Sequence, residues 1–328
     1  MNSSRDHLLP YLLLAVFLLF GLACWSTMVG ATDLSLGGLW ESGWNDEQLH
    51  ILVESRLPRT LALMLAGAAI AGSGCILQML VRNRFAEPST VGTADAAKLG
   101  FLIVLLLYPD ASVPYRLVIA ATFAFVMTAF FMRVMRNVPL KSPLIVPLVG
   151  ILLGGVINAV ASFLAYRYDL MQSLASWSNG DFSMILRGRY ELLWLSLAMT
   201  LLAYVYADRF TVAGLGESVA TSLGLGYRGV LTLGLLIAST TTAVVIVTVG
   251  MIPFLGLVVP NLVSLAVGDN VRRALPWVAV VGAGLVLACD IAGRIVNAPY
   301  EIPVGTTFGV IASALFLYLL LRKNARLV

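Results

Sequence analysis

DRFTVAGLGESVATSLGLGYRG, residues Asp208 to Gly229, is a polar island between two long apolar stretches. Gly214 and Gly216 precede Glu217-Ser-Val-Ala-Thr-Ser-Leu, Val219 and Leu223 stand four apart, and Gly224 and Gly226 follow. This spacing predicts a short helix with a small apolar face, ended by glycine. So short a helix is unstable alone in water, so the bundle or a partner must hold it. An ordinary surface loop and a docking element are the two readings, and the length argument favours docking.

Outward from the island the chain reads as membrane. Hydrophobic residues make up 59% and charged residues 12%, with a mean hydropathy of +0.92, against roughly a quarter charged in soluble domains. A helical span needs about twenty apolar residues. Splitting the apolar runs at Gly, Pro and charge clusters predicts about ten spans, near 8–29, 60–81, 93–108, 114–135, 144–166, 191–207, 230–249, 254–267, 275–296 and 305–321. The expected fold is an all-α membrane protein: a polytopic bundle forming one domain over residues 1–328, because no linker composition divides it. The first run, Leu8 to Met28, could be a signal peptide. Its flanks favour a retained helix.

Lysine and arginine set the orientation. One face collects Arg82, Arg84, Arg133, Arg136, Lys141, Arg209, Arg228, Arg272, Arg273 and both termini, with Lys98 near it. The other collects Arg56, Arg59, Arg116, Arg167, Arg187, Arg189 and Arg294. The richer set points to the cytoplasm, so both termini and the Asp208–Gly229 island are expected there. On the other side, the external stretch from Asp33 holds Trp40, Trp44 and the run DEQLHILVESRL (46–57), which predicts a short interfacial helix. Tyr166–Tyr190 predicts a surface element with Trp177 at headgroup level.

Catalysis finds little support. The sequence carries no His/Glu metal pattern, nucleophile elbow or Walker-type loop. His7 and His50 lie far apart, and Cys24, Cys75 and Cys289 read as packing residues. Asp290 is the clearest acid inside a span; its spacing favours local pairing with Arg294 over a proton site. Arg56 and Arg59 in RLPR lie on nearly one helix face, with Pro58 setting a helix start. They suit carboxylates of an outside partner, or equally lipid headgroups and snorkelling. In VRNRFAEPSTVGTADAAKLG, Val81–Gly100, Pro88 and Gly92 break the helix; the segment is a simple turn or a gate at membrane depth.

Together these motifs resemble the permease subunits of bacterial ABC importers for iron-siderophores, haem and vitamin B12, the FecCD family. The resemblance rests on RLPR, GAAIAGSGCILQMLVRNRFAEPSTVG (67–92), LGESVATSLGL (215–225), PFLGLVVPNLVSL (253–265), CDIAGR (289–294) and EIPVGTTFGVIASALFLYLL (301–320). It implies ten transmembrane helices per subunit and two subunits around a central path. It makes Gly214, Leu215, Gly216, Glu217, Val219, Ala220 and Leu223 a cytoplasmic coupling helix seated on an ABC ATPase dimer. Arg56, Arg59 and Arg294 become docking residues for a periplasmic substrate-binding protein. Asn83 and Phe85, in a loop with Glu87 and Pro88, become a cytoplasmic gate with Lys141 and Ser142 as its counterpart.

The usual Asn-Pro-Leu-Ala-x-Pro appears as Asn83-Arg84-Phe85-Ala86-Glu87-Pro88, and the usual Pro-His as Pro260-Asn261. The loop is most similar to the catecholate-siderophore branch, in which two paralogous permeases pair. The implied function is ferric siderophore import across the inner membrane; haem, vitamin B12 or an ion-gradient-driven transporter are the alternatives. No cofactor is expected on this chain, since ATP and Mg belong to the ATPase. No catalytic or metal residues and no nucleic-acid partner are expected. Replacing the Glu217–Leu223 face with Gly and Ser should uncouple uptake from ATP hydrolysis in reconstituted vesicles. Full uptake would sink the coupling role.

Overall fold

The computed structural model describes residues 3–30, 46–137, 145–296, 298 and 300–321. Trp40, Trp44, Lys141 and Ser142 lie outside them, as does the chain beyond 321. The described residues are helical and contain no strand. In chain order the helices are α1 (Ser3–Met28), α2 (Asp46–Ile51), a π-helical turn (Leu52–Arg56), α3 (Leu57–Val81), α4 (Thr93–Leu107), α5 (Val113–Asn137), α6 (Ile145–Arg167) and α7 (Met171–Ser178). Then follow α8 (Leu193–Val205), α9 (Ala207–Ala213), α10 (Glu217–Ser222), α11 (Tyr227–Val249), α12 (Leu255–Val267), α13 (Val271–Val296) and α14 (Val304–Leu321). Helices α1, α3, α4, α5, α6, α8, α11, α12, α13 and α14 match the ten expected spans. Among the described residues, six helical stretches are long and apolar enough to cross a membrane, and α8, α12 and α14 are shorter apolar helices.

Helix α3 is the axis of the bundle. It packs against α8, α11, α12 and α13. Its 25 residues reach about 37 Å at the α-helical rise. Small residues set how closely its neighbours approach, as is usual where lipid supplies no hydrophobic drive between helices. A Cβ built on Gly67 would lie 2.7 Å from the Gly282 carbonyl oxygen of α13, and one on Gly74 2.0 Å from that of Gly256 on α12.

Pro58 stands in the first turn of α3, as expected, but no loop precedes that helix: DEQLHI is helical and continues through the π turn into α3. The Leu57 N–H reaches back to the Leu52 carbonyl, a five-residue step that widens the helix. Pro58 has no N–H to give the Glu54 carbonyl. The Arg187 N–H occupies that oxygen instead, at 2.9 Å, and the Arg187 guanidinium meets the Glu54 carboxylate at 3.2 Å.

Trp177 is half-buried against the bundle. Its ring packs edge-on to Phe101, with centroids 4.6 Å apart, and its carbonyl accepts the Met251 N–H at 2.9 Å. Lys98 is not near a face. Helix α4 starts at depth, where Gly92 and Asp95 lie against Gly154 near the middle of α6, and Lys98 is buried in a 2.9 Å pair with Asp95. Hydropathy counts both residues as polar and is blind to their pairing one turn apart.

The close crossings are sensitive to a single methyl group. Gly74→Ala should cost about 3 kcal/mol, the upper end of overpacking penalties, read as a lower melting temperature and loss of the monodisperse peak in detergent. Gly155→Ala, whose added carbon meets nothing within 4 Å, should leave both unchanged.

Candidate functional site

Helix α3 joins two polar ends. At its first end, Arg59 projects towards α13. Its Nη2 lies 2.7 Å from Asp290 Oδ1 and its Nη1 2.8 Å from Glu301 Oε2. Arg294, one turn after Asp290 on α13, meets the other Asp290 oxygen at 2.6 Å. Asp290 is thus clasped by two guanidinium groups, with its side chain 1% exposed, whereas that of Glu301 is 35% exposed. A carboxylate so paired is a structural counter-ion, and the predicted pairing with Arg294 is present.

Arg56 and Arg294 also close the end of α1. Arg56 Nη1 donates to the Thr27 and Met28 carbonyls at 2.9 and 3.0 Å. Arg294 Nη1 donates to those of Ser26 and Val29 at 3.1 and 2.6 Å, and Nη2 to Ser26 Oγ at 2.7 Å. The last carbonyls of a helix lack intrahelical donors and carry negative partial charge, so cations suit them. The three arginines expected to dock a partner are therefore gathered at one end of the bundle. Arg56 and Arg294 turn inward, and Arg59 reaches an exposed carboxylate.

Between the ends the backbone is broken at depth. Helix α12 has 13 residues, about 20 Å by its rise, short of the roughly 30 Å hydrocarbon layer. Its start, Phe254, takes a left-handed conformation and donates its N–H to Glu87 Oε1 at 3.1 Å. The chain from Asn83 to Gly92 runs into the bundle to meet it, so the segment is more than a simple turn.

Side chains satisfy the irregular backbone of this segment. Asn83 Oδ1 accepts the Phe85 N–H at 2.8 Å, Thr90 Oγ1 accepts the Glu87 N–H and donates to the Phe85 carbonyl, both at 2.9 Å, and Ser89 donates to Glu87. Asn261 Nδ2 donates to the Arg84 and Leu257 carbonyls at 2.8 and 2.7 Å. Asn261 stands where the family's usual histidine would, and its amide ties α12 to the loop. Phe85 packs edge-on to Phe316 of α14, with centroids 5.8 Å apart. Glu87 is the residue that sequence reasoning undervalued; an acid beside Pro in a segment too polar for its depth was the available signal.

At the second end, α10 carries the expected apolar face. Ala220 is buried against the bundle, while Leu215, Val219 and Leu223 are 57%, 43% and 66% exposed. Val219 and Leu223 stand one turn apart at α10, and Leu215 precedes the helix on the far side of Gly216. Gly216, at φ +108°, lets the chain turn beside the Arg82 guanidinium, which lies 3.1 Å from where a Cβ would stand. Glu217 opens the helix, and Arg272 pairs with Asp208. Gly214 and Leu215 share a cavity of about 550 Å³ with Asn83, Arg82, Gln78 and Asn261. One expected gate residue, Asn83, and two expected coupling residues, Gly214 and Leu215, therefore line one space; Phe85, Val219 and Leu223 are not part of its lining.

A many-helix bundle with broken helices at depth, a charged cluster at one end and a presented helix at the other defines a polytopic membrane permease. The chain belongs to the FecCD transport family, whose model matches residues 15–322. It is 45% identical over 308 residues to the petrobactin import system permease protein YclN of Bacillus subtilis, covering 94% of this chain and 97% of that one. It is 42% identical over 303 residues to the ferric-anguibactin transport system permease protein FatD of Vibrio anguillarum, covering 92% and 96%. Among solved structures, a metal-chelate type ABC transporter in an inward-facing conformation superposes with a TM-score of 0.80 at 25% identity, covering 95% of this chain and 98% of that one.

The Asp290 network gives a graded expectation. Asp290→Asn leaves two guanidinium groups without their shared counter-ion and should cost about 3 kcal/mol, as for other broken buried pairs. Glu301→Gln, which removes a half-exposed partner, should cost about 0.5 kcal/mol. Unfolding midpoints of the purified chain would rank the two, and equal midpoints would deny Asp290 its structural role.

Proposed function

We propose that this chain is the membrane-spanning subunit of an ATP-driven importer that carries a ferric siderophore of catecholate type inward across the bacterial cytoplasmic membrane. Family membership and the substrates named for its petrobactin and anguibactin relatives support the cargo. The observation that carries the ATP-driven reading is the exposed apolar pair Val219 and Leu223 at α10, with Leu215 exposed just ahead of it. Apolar side chains exposed on a short helix flanked by charge call for a protein partner. An ABC ATPase dimer is that partner, and it holds the ATP and Mg; this chain performs no hydrolysis. The Asp208–Gly229 end and both termini are cytoplasmic in this reading.

On the opposite side, Arg56, Arg59 and Arg294 form the docking surface for a substrate-binding protein. Arg59 makes the outer contact, while Arg56 and Arg294 hold the end of α1 beneath it. A second permease, a paralogue rather than a copy, completes the path. ATP binding shifts the coupling helix of Gly214–Leu223. Through the cavity that Gly214 and Leu215 share with Asn83 that motion moves the Asn83–Phe85 loop, which works with Lys141 and Ser142 as the gate. A bundle that responds in this way needs two states with different contacts to each partner.

The test is reconstitution with the cognate ATPase and binding protein. Arg59→Glu should weaken docking on the order of tenfold at low salt, where an ionic contact is least screened, and leave ATPase assembly intact. Glu301→Gln should strengthen docking by freeing Arg59 Nη1. Failure of the chain to co-purify with any ATPase would overturn the proposal.

A further inference from the structure

The groove between α5 and α11, at the end that carries the Asp208–Gly229 segment, has no part in the mechanism above. It holds a cavity of about 660 Å³ walled by Phe125, Phe130, Leu231 and Leu235, with Arg133 and Arg228 beside them and no carboxylate in its lining. Both arginines are exposed, and neither has an ion pair among the described residues. Val126 and Phe130 of α5 and Leu236 of α11 are exposed on these helices, as a surface against acyl chains would be. At the opposite end of the same two helices lies a second cavity of about 660 Å³, with Arg116, Arg189 and Glu191 in its lining. There Arg116 is already held by the Pro109 and Ala111 carbonyls at 2.6 and 2.9 Å, and a carboxylate offsets the charge. The two ends therefore differ in net charge and in how far their cations are already engaged.

Two unpaired guanidinium groups above an apolar trough ask for an anion with an apolar body. The guanidinium forks match phosphate oxygens, and basic pockets between transmembrane helices select anionic headgroups. We propose that the α5–α11 groove binds an anionic phospholipid of the leaflet on the Asp208–Gly229 side. Its phosphate lies between Arg133 and Arg228, and its acyl chains lie along Phe125, Phe130, Leu231 and Leu235. Arg228 follows the α10 segment directly in sequence, so the bound headgroup sits at the root of the presented helix.

Native mass spectrometry of the delipidated, full-length chain with added phosphatidylglycerol or phosphatidylcholine tests this. Phosphatidylglycerol should be retained preferentially. Arg133→Gln with Arg228→Gln should weaken its retention on the order of tenfold, from the loss of two charges near the headgroups, with phosphatidylcholine unaffected. Arg116→Gln with Arg189→Gln should leave the preference intact. Unchanged phosphatidylglycerol retention in the Arg133/Arg228 double variant would overturn the proposal. So would displacement of the lipid by inorganic phosphate alone, which would mark a simple anion site. Loss of permease pairing with no change in lipid preference would assign the groove to a protein interface instead.

Discussion

The hydrocarbon interior offers no water to the backbone, so every N–H and C=O at depth must find a partner in the protein. Continuous helices meet that demand by themselves. This protein interrupts its helices where Asn83–Gly92 meets the start of α12, and the remainder of its design follows from satisfying that break. Glu87 receives the first N–H of α12, Asn83 and Thr90 close the loop on itself, and Asn261 returns two donors to carbonyls. Each of these side chains is buried. A polar junction of this kind is fixed in position by its hydrogen bonds, yet holds no long run of helical bonds that would resist rearrangement.

The two ends of α3 solve a different problem. At one, three arginines and two carboxylates draw α1, α3, α13 and the approach to α14 to a single point. Asp290 serves both Arg59 and Arg294, one carboxylate oxygen to each. At the other end the chain leaves an apolar ridge uncovered, held from behind by Ala220 and by the turn at Gly216. One end has its charges largely engaged within the chain and the other leaves apolar side chains uncovered. That contrast is what a subunit needs if one partner comes and goes while another stays attached.

The ten helices were legible in the sequence because hydropathy is a local property, read within a window of one span. The α10 ridge was legible for the same reason, since Val219 and Leu223 are one turn apart. What escaped depends on distant partners. The π turn requires Arg187 to take the Glu54 carbonyl, 133 residues away, and the start-of-helix rule for Pro58 has no means of knowing that. The depth of the 82–92 segment rests on Glu87 reaching Phe254, 167 residues on. Arg56 and Arg294 looked like docking groups because their residue type and placement fit; their engagement with the end of α1 became visible only once Ser26 to Val29 stood beside them.

The glycine crossings of α3 have a mechanical meaning. Backbone against backbone at Gly67–Gly282 and Gly74–Gly256 leaves no side chain to swing aside, so α3, α12 and α13 cannot slide past one another by rotamer change. They form a stiff beam. A push on one end of such a beam arrives at the other as a tilt, undiminished by local softening. Gly214 lies against Met79 near the end of α3, where an added Cβ would stand 3.2 Å from the sulfur, so a displacement there meets the same helix that carries Arg59 near its start.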